Sequence, residues 1–125
     1  MLEIEVESTD AYTLCRPVGE LDAYTVNEFR EALGGVTHAQ RLLIDLSAVP
    51  FADSTAAHAL LSFVKKTQTA GTMVYLAGAS AGVRHVLFQH GLKPPLGHYS
   101  ADVETAREEA LQARGETAVP VPRGG

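Results

Sequence analysis

At 125 residues the chain is long enough for one domain with its own core, without supporting disulfides or a metal. Its 46% hydrophobic and 20% charged residues indicate neither disorder nor a membrane span, since no apolar run approaches the roughly 20 residues a bilayer needs. Fifteen acidic against ten basic side chains give a formal charge of −5 with no basic stripe, which argues against nucleic acid as a partner.

Residues 1–5 are acidic and alternating rather than a basic segment followed by an apolar one, so a cytoplasmic location is the expectation. Residues 2–7 alternate apolar and acidic side chains, the pattern of a half-buried strand. Ser8, Thr9 and Asp10 supply a turn, and residues 12–18 predict a second strand antiparallel to the first. Cys15 lies in that strand. As the sole cysteine, with no adjacent His or Lys, it is expected to be a packed thiol and not a nucleophile. Residues 19–24 form a loop carrying Glu20 and Asp22. Thr25 followed by Glu28 predicts a capping box, with Val26, Phe29 and Leu33 facing inward and Gly34-Gly35 as the stop.

Leu42, Leu43, Ile44 and Leu46, interrupted only by Asp45, predict a strand buried on both faces. After Val49-Pro50-Phe51-Ala52, a helix is expected, because Ala57, Leu60, Leu61 and Val64 recur at i, i+3, i+4 and i+7. Asp53 and Ser54 then fall in its first turn. Two readings follow: either residue serves as the N-cap, or Ser54 accepts a phosphoryl group, for which a helix N-terminus is a favourable place. One residue can do both.

Ala70-Gly71 ends that helix, and residues 72–77 predict a further strand, parallel to the last through a right-handed crossover. The segment Gly78-Ala79-Ser80-Ala81-Gly82 reads as strand-to-helix turn chemistry, with Ser80 capping a helix whose Val83, Val86, Leu87 and His90 share a face and Gly91 stopping it. Lys93-Pro94-Pro95 predicts an extended segment, and residues 96–99 a short last strand. Asp102 starts a helix with Val103, Ala106, Ala110 and Leu111 on one side, ended by Gly115, and with Arg107, Glu108, Glu109 and Arg114 on a solvated face. Residues 115–125, rich in Pro and Gly, read as a disordered tail. The order of elements implies an α/β domain with a small mixed sheet.

Rival chemistries find little support. His38, His58, His85, His90 and His98 come without a cysteine or carboxylate cluster, so neither a metal nor a cofactor is expected. No Gly-x-Ser-x-Gly elbow surrounds Ser54, and no glycine-rich phosphate loop is present, so an enzyme is not expected.

Gly19-Glu20-Leu21-Asp22 ahead of a helix, Leu43-Ile44-Asp45-Leu46 followed by Phe51-Ala52-Asp53-Ser54-Thr55, and Val83-Arg84-His85-Val86-Leu87 before Gly91-Leu92 together resemble a STAS domain. The likeness is to bacterial anti-sigma factor antagonists and covers about residues 2–112, so residues 1–114 are expected to form the domain. It implies a STAS-like fold: a mixed sheet of four to five strands with about four helices. It also implies a non-enzymatic phospho-switch in stress-response transcription. The unmodified protein binds an anti-sigma factor serine/threonine kinase, phosphorylation releases it, and a metal-dependent serine phosphatase resets the system. By this resemblance Ser54 is the phosphoacceptor, with Thr55 as fallback; Asp53 and Asp22 are the adjacent carboxylates; Thr55, Ala56 and His58 line the contact. A monomer or weak homodimer is implied. The chain departs from the pattern at Ala56, Ala57 and His58, where antagonists usually carry Gly, a large aliphatic and Gly. Some relatives act as scaffold subunits of sensory complexes, and this alternative stays open, as does a small ligand at the sheet's carboxyl edge.

Overall fold

The computed structural model describes residues 2–36 and 39–113. The elements run β1 (Glu3–Ser8), β2 (Thr13–Val18), α1 (Val26–Gly34), β3 (Arg41–Asp45), α2 (Ser54–Thr69), β4 (Met73–Ala77), α3 (Ala81–Gln89), β5 (His98–Ser100) and α4 (Val103–Ala113). The sheet has the order β1-β2-β3-β4-β5, with β1 antiparallel to β2 and the remaining pairs parallel. This is the mixed five-stranded sheet with four helices implied by the sequence. The hairpin turn is held by Thr9, whose Oγ1 accepts from the N–H of Ala11 and of Tyr12, each at 3.1 Å.

Strand order follows chain order, so right-handed crossovers place the three connecting helices on one face. The core divides accordingly. On that face Cys15, Leu42, Ile44, Val74 and Leu76 meet Phe29 and Leu33 of α1, Ala57, Leu60 and Val64 of α2, and Val83 and Leu87 of α3. On the other face Leu14, Leu43, Tyr75 and Ala77 meet Ala106 and Ala110 of α4. The β3 run Leu42-Leu43-Ile44 is therefore covered on both sides and 0% exposed, each such side chain contributing about 1.5–3 kcal/mol. Asp45, which interrupts the apolar run, is 4% exposed; its carboxylate accepts from the Ser47 N–H at 3.0 Å and lies 3.4 Å from Arg16 Nε.

Several expectations need correction. The alternating β1 is not half-buried along its length: Leu2 is buried and Ile4 packs against the core, but Val6, on this edge strand, is 53% exposed. The Thr25 capping box does not form. The Thr25 hydroxyl accepts from the Asp22 N–H at 3.0 Å and donates to the Glu20 carbonyl at 2.9 Å, tying the preceding loop instead of α1. Pro94 and Pro95, joined by a cis peptide bond, lie in a turn rather than an extended segment. Nor is the charged side of α4 simply solvated. Arg107 lies 3.6 Å from Glu7 of β1, and Glu109 accepts from the Ser100 hydroxyl and pairs with His98 at 2.8 Å, clamping α4 to the sheet edges. The Ser80 and Asp102 caps form as expected, accepting from the N–H of Val83 at 3.2 Å and of Thr105 at 2.8 Å. His38, Arg114, Gly115 and the expected tail at 115–125 lie outside the described residues.

Candidate functional site

Two loops leave neighbouring parallel strands, the one after β2 and the one after β3, and they remain paired beyond the sheet. Gly19 N–H donates to the Ala48 carbonyl at 3.1 Å, Leu21 N–H to Phe51 at 2.9 Å, and Asp53 N–H back to Leu21 at 3.0 Å. The result is a parallel bridge between Leu21 and Ala52, whose buried side chains (2% and 4% exposed) anchor it.

Asp53 sits at the end of this zipper in extended geometry, at the N-cap of α2. Its Oδ1 accepts from the Ala56 N–H at 3.0 Å, and its Oδ2 accepts from the Ala23 N–H at 3.1 Å. Of the two candidates for the cap, Asp53 fills the position. Ser54 is the first helical residue, exposed, with no hydrogen bond from its hydroxyl among the described residues. Asp22 turns into its own loop, its Oδ1 accepting from the N–H of Tyr24 at 2.9 Å and of Thr25 at 3.1 Å. The Ala23 N–H between them reaches Asp53, so the two carboxylates belong to one hydrogen-bonded unit.

Thr55 and His58 are exposed beside Ser54, and His58 lies one turn on, at i+4, on the same side of α2. Ala56 is different. It is 2% exposed and packs in the core, so it contributes only its backbone N–H to the site; its expected place in a contact surface is corrected.

A shallow depression of about 410 Å³ is lined by Arg30, Ser54, Thr55, His58 and His90. Arg30 carried no expectation and His90 only that of a helix-face residue, because they come from α1 and the end of α3 and meet α2 only through packing. The available signal was that Arg30 is the cation following inward-facing Phe29. The His90 Nδ1 donates to the Val86 carbonyl at 3.0 Å, leaving Nε2 without a partner among the described residues. The zipped loops expose Tyr24 (94%) and Phe51 (49%), neither of which lines this depression.

Other candidates lie apart from this site. Cys15 is 0% exposed, and burial pushes its thiol up to about 11, so it stays protonated. Among the described residues no three His, Cys, Asp or Glu side chains are grouped to hold a metal, and no helix is long and apolar enough to cross a membrane.

An α/β domain here presents an uncommitted serine hydroxyl at a capped helix start, at one loop-helix junction. The family model for the STAS domain matches residues 3–106, and the chain belongs to that family. Similar solved structures include an anti-sigma factor antagonist from Mycobacterium paratuberculosis, 26% identical, with a TM-score of 0.71 over 90% of this chain and 93% of that one. The unphosphorylated anti-sigma factor antagonist SpoIIAA is 20% identical with a TM-score of 0.67 over 90% and 99% of the two chains, and the phosphorylated form of Bacillus SpoIIAA, 20% identical, has a TM-score of 0.63 over 82% and 95%. The protein SLC26A9, 19% identical with a TM-score of 0.70, matches 82% of this chain but only 20% of its own length, so the fold also occurs inside much longer chains.

Proposed function

We propose that the protein is a cytoplasmic, non-enzymatic anti-sigma factor antagonist whose Ser54 carries the switch. Unmodified, it binds an anti-sigma factor serine/threonine kinase through the surface around Asp22, Asp53, Ser54, Thr55 and His58; phosphorylated, it lets go, and a serine phosphatase restores it. The observation that carries this reading is the division of labour at the start of α2. Asp53 does the capping, so the Ser54 hydroxyl is exposed and uncommitted. A phosphoryl group adds about −1.5 to −2 charges there, at a helix end that tolerates them. Within an interface the same charge, beside Asp53, costs several kcal/mol in repulsion and desolvation, and each 1.4 is tenfold in affinity. Two to three decades, roughly, separate the forms. Incubation with anti-sigma kinases and ATP, followed by mass spectrometric mapping, tests this. Phosphate on Ser54, or on Thr55 as the fallback, supports it; labelling elsewhere only, or none, rejects the site.

A second reading, a STAS scaffold subunit assembling with like domains, is favoured by His58, which sets a ring where a partner's backbone would otherwise approach closely. Light scattering after size exclusion separates the two: a monomer or weak dimer fits the switch, a stable high-order assembly the scaffold.

A further inference from the structure

The depression beside Ser54 is unusual for this chain. The protein as a whole is acidic, at −5, yet the side chains that line this depression with Ser54 and Thr55 are Arg30, His58 and His90, all basic. Arg30 and His58 form no ion pair or hydrogen bond among the described residues, and His90 keeps one ring nitrogen free. The adjacent carboxylate, Asp53, has each oxygen turned onto a backbone N–H, away from a free side-chain partner. Asp22 is likewise turned into its own loop. Three basic side chains, from α1, α2 and the C-cap of α3, therefore line with an uncommitted hydroxyl one depression of about 410 Å³ whose lining holds no acid.

We propose that a phosphoryl group on Ser54 is held in cis by Arg30, His58 and His90. This rests on the proposed phosphorylation of Ser54 and specifies what happens to the group afterwards. Arg30 presents a planar fork that matches two phosphate oxygens. His58, one turn along α2, and His90, at the end of α3, close the other sides. The phosphate is drawn across the start of α2 toward α1 and α3, filling the depression and denying it to the kinase. In this arrangement His58 is a specificity residue of the phosphorylated form rather than an obstacle to the unmodified one.

Phosphoserine incorporated at position 54 during translation tests the grip without any kinase, by ³¹P NMR titration of the folded protein against the same chain in urea. A phosphate beside cations ionises more readily, so its second pKa is expected to fall by about half to one unit in the folded state. The helix dipole acts in every variant, so the variants isolate the side chains. Arg30→Gln and the pair His58→Ala with His90→Ala should each return the value toward that of the unfolded chain, while Arg30→Lys retains part of the shift. Circular dichroism confirms that these surface changes leave the fold intact. An ordinary folded-state value, or one indifferent to Arg30→Gln, overturns the cradle and leaves the switch standing. A kinase that never labels Ser54 rejects the switch and leaves this titration unaffected.

Discussion

Asp53 and Ala23 stand thirty positions apart in the chain and are joined by a 3.1 Å hydrogen bond from the Ala23 N–H to Asp53 Oδ2. With its other oxygen Asp53 caps α2, so one carboxylate fixes the helix start and pins the acidic loop to it.

Replacing Asp53 by Ala removes both bonds. Loss of an N-cap alone costs about 1 kcal/mol, and with the loop contact the expected loss is roughly 1–2 kcal/mol, read from the urea midpoint. Asp53→Asn keeps an acceptor for the cap and should lose less than half as much. An Asp53→Ala protein as stable as the parent would show that the shared carboxylate does not organise the site.

Two glycines near α3 should respond in opposite directions. Gly78 has φ +69°, and a Cβ there would lie 3.0 Å from the Ser47 Cβ, so Gly78→Ala should destabilise by about 1–3 kcal/mol. Gly82, inside α3, has no neighbour within 4 Å of an added Cβ, so Gly82→Ala should stabilise by about 0.5–1 kcal/mol. Thermal denaturation of the two variants checks the contrast, and equal shifts would refute it.

Burial of Cys15, with its thiol pushed up to about 11, predicts inertness toward disulfide reagents. At pH 8, roughly, the folded protein should react at least about 100-fold more slowly than the urea-unfolded chain. Comparable rates would mean that β2 opens readily.

Glu109 gives the fold an acid-sensitive clamp. Partial burial raises its pKa, but the Ser100 hydroxyl and His98 outweigh this and hold it below the ordinary 4.5. A carboxylate depressed in the folded state favours folding above its unfolded value, and that contribution disappears as pH falls through the folded one. The parent should therefore lose more stability than Glu109→Gln on acidification from about pH 5 to about pH 3, measured by urea titration. Parallel pH profiles would exclude the clamp.

Tyr24, 94% exposed beside the zipped loops, has no packing role to lose. Tyr24→Ala should leave stability within about 0.5 kcal/mol of the parent while weakening kinase binding tenfold or more, as measured calorimetrically. Unchanged affinity would exclude Tyr24 from the contact.

Features set by neighbours in the chain were readable from the sequence. The caps at Ser80 and Asp102, a cap at Asp53 or Ser54, the doubly buried Leu42-Leu43-Ile44 run and the start of α2 all follow from local spacing and side-chain chemistry. Features set by packing were not. Thr25 has a capping residue's chemistry, but the loop from Glu20 competes for its hydroxyl and wins. Ala56 stands two residues after Ser54, yet helical geometry rotates it into the core. Arg30 and His90 reach Ser54 only because crossover handedness puts α1, α2 and α3 on one face, which no local window reveals.

The rung between Leu21 and Ala52 carries a mechanical consequence. It welds the acidic turn and the serine helix into a single plate, with Tyr24 as its handle. Through Ala23 and Asp53 the Tyr24 turn and the Ser54 helix start are tied by hydrogen bonds, so a displacement of one displaces the other.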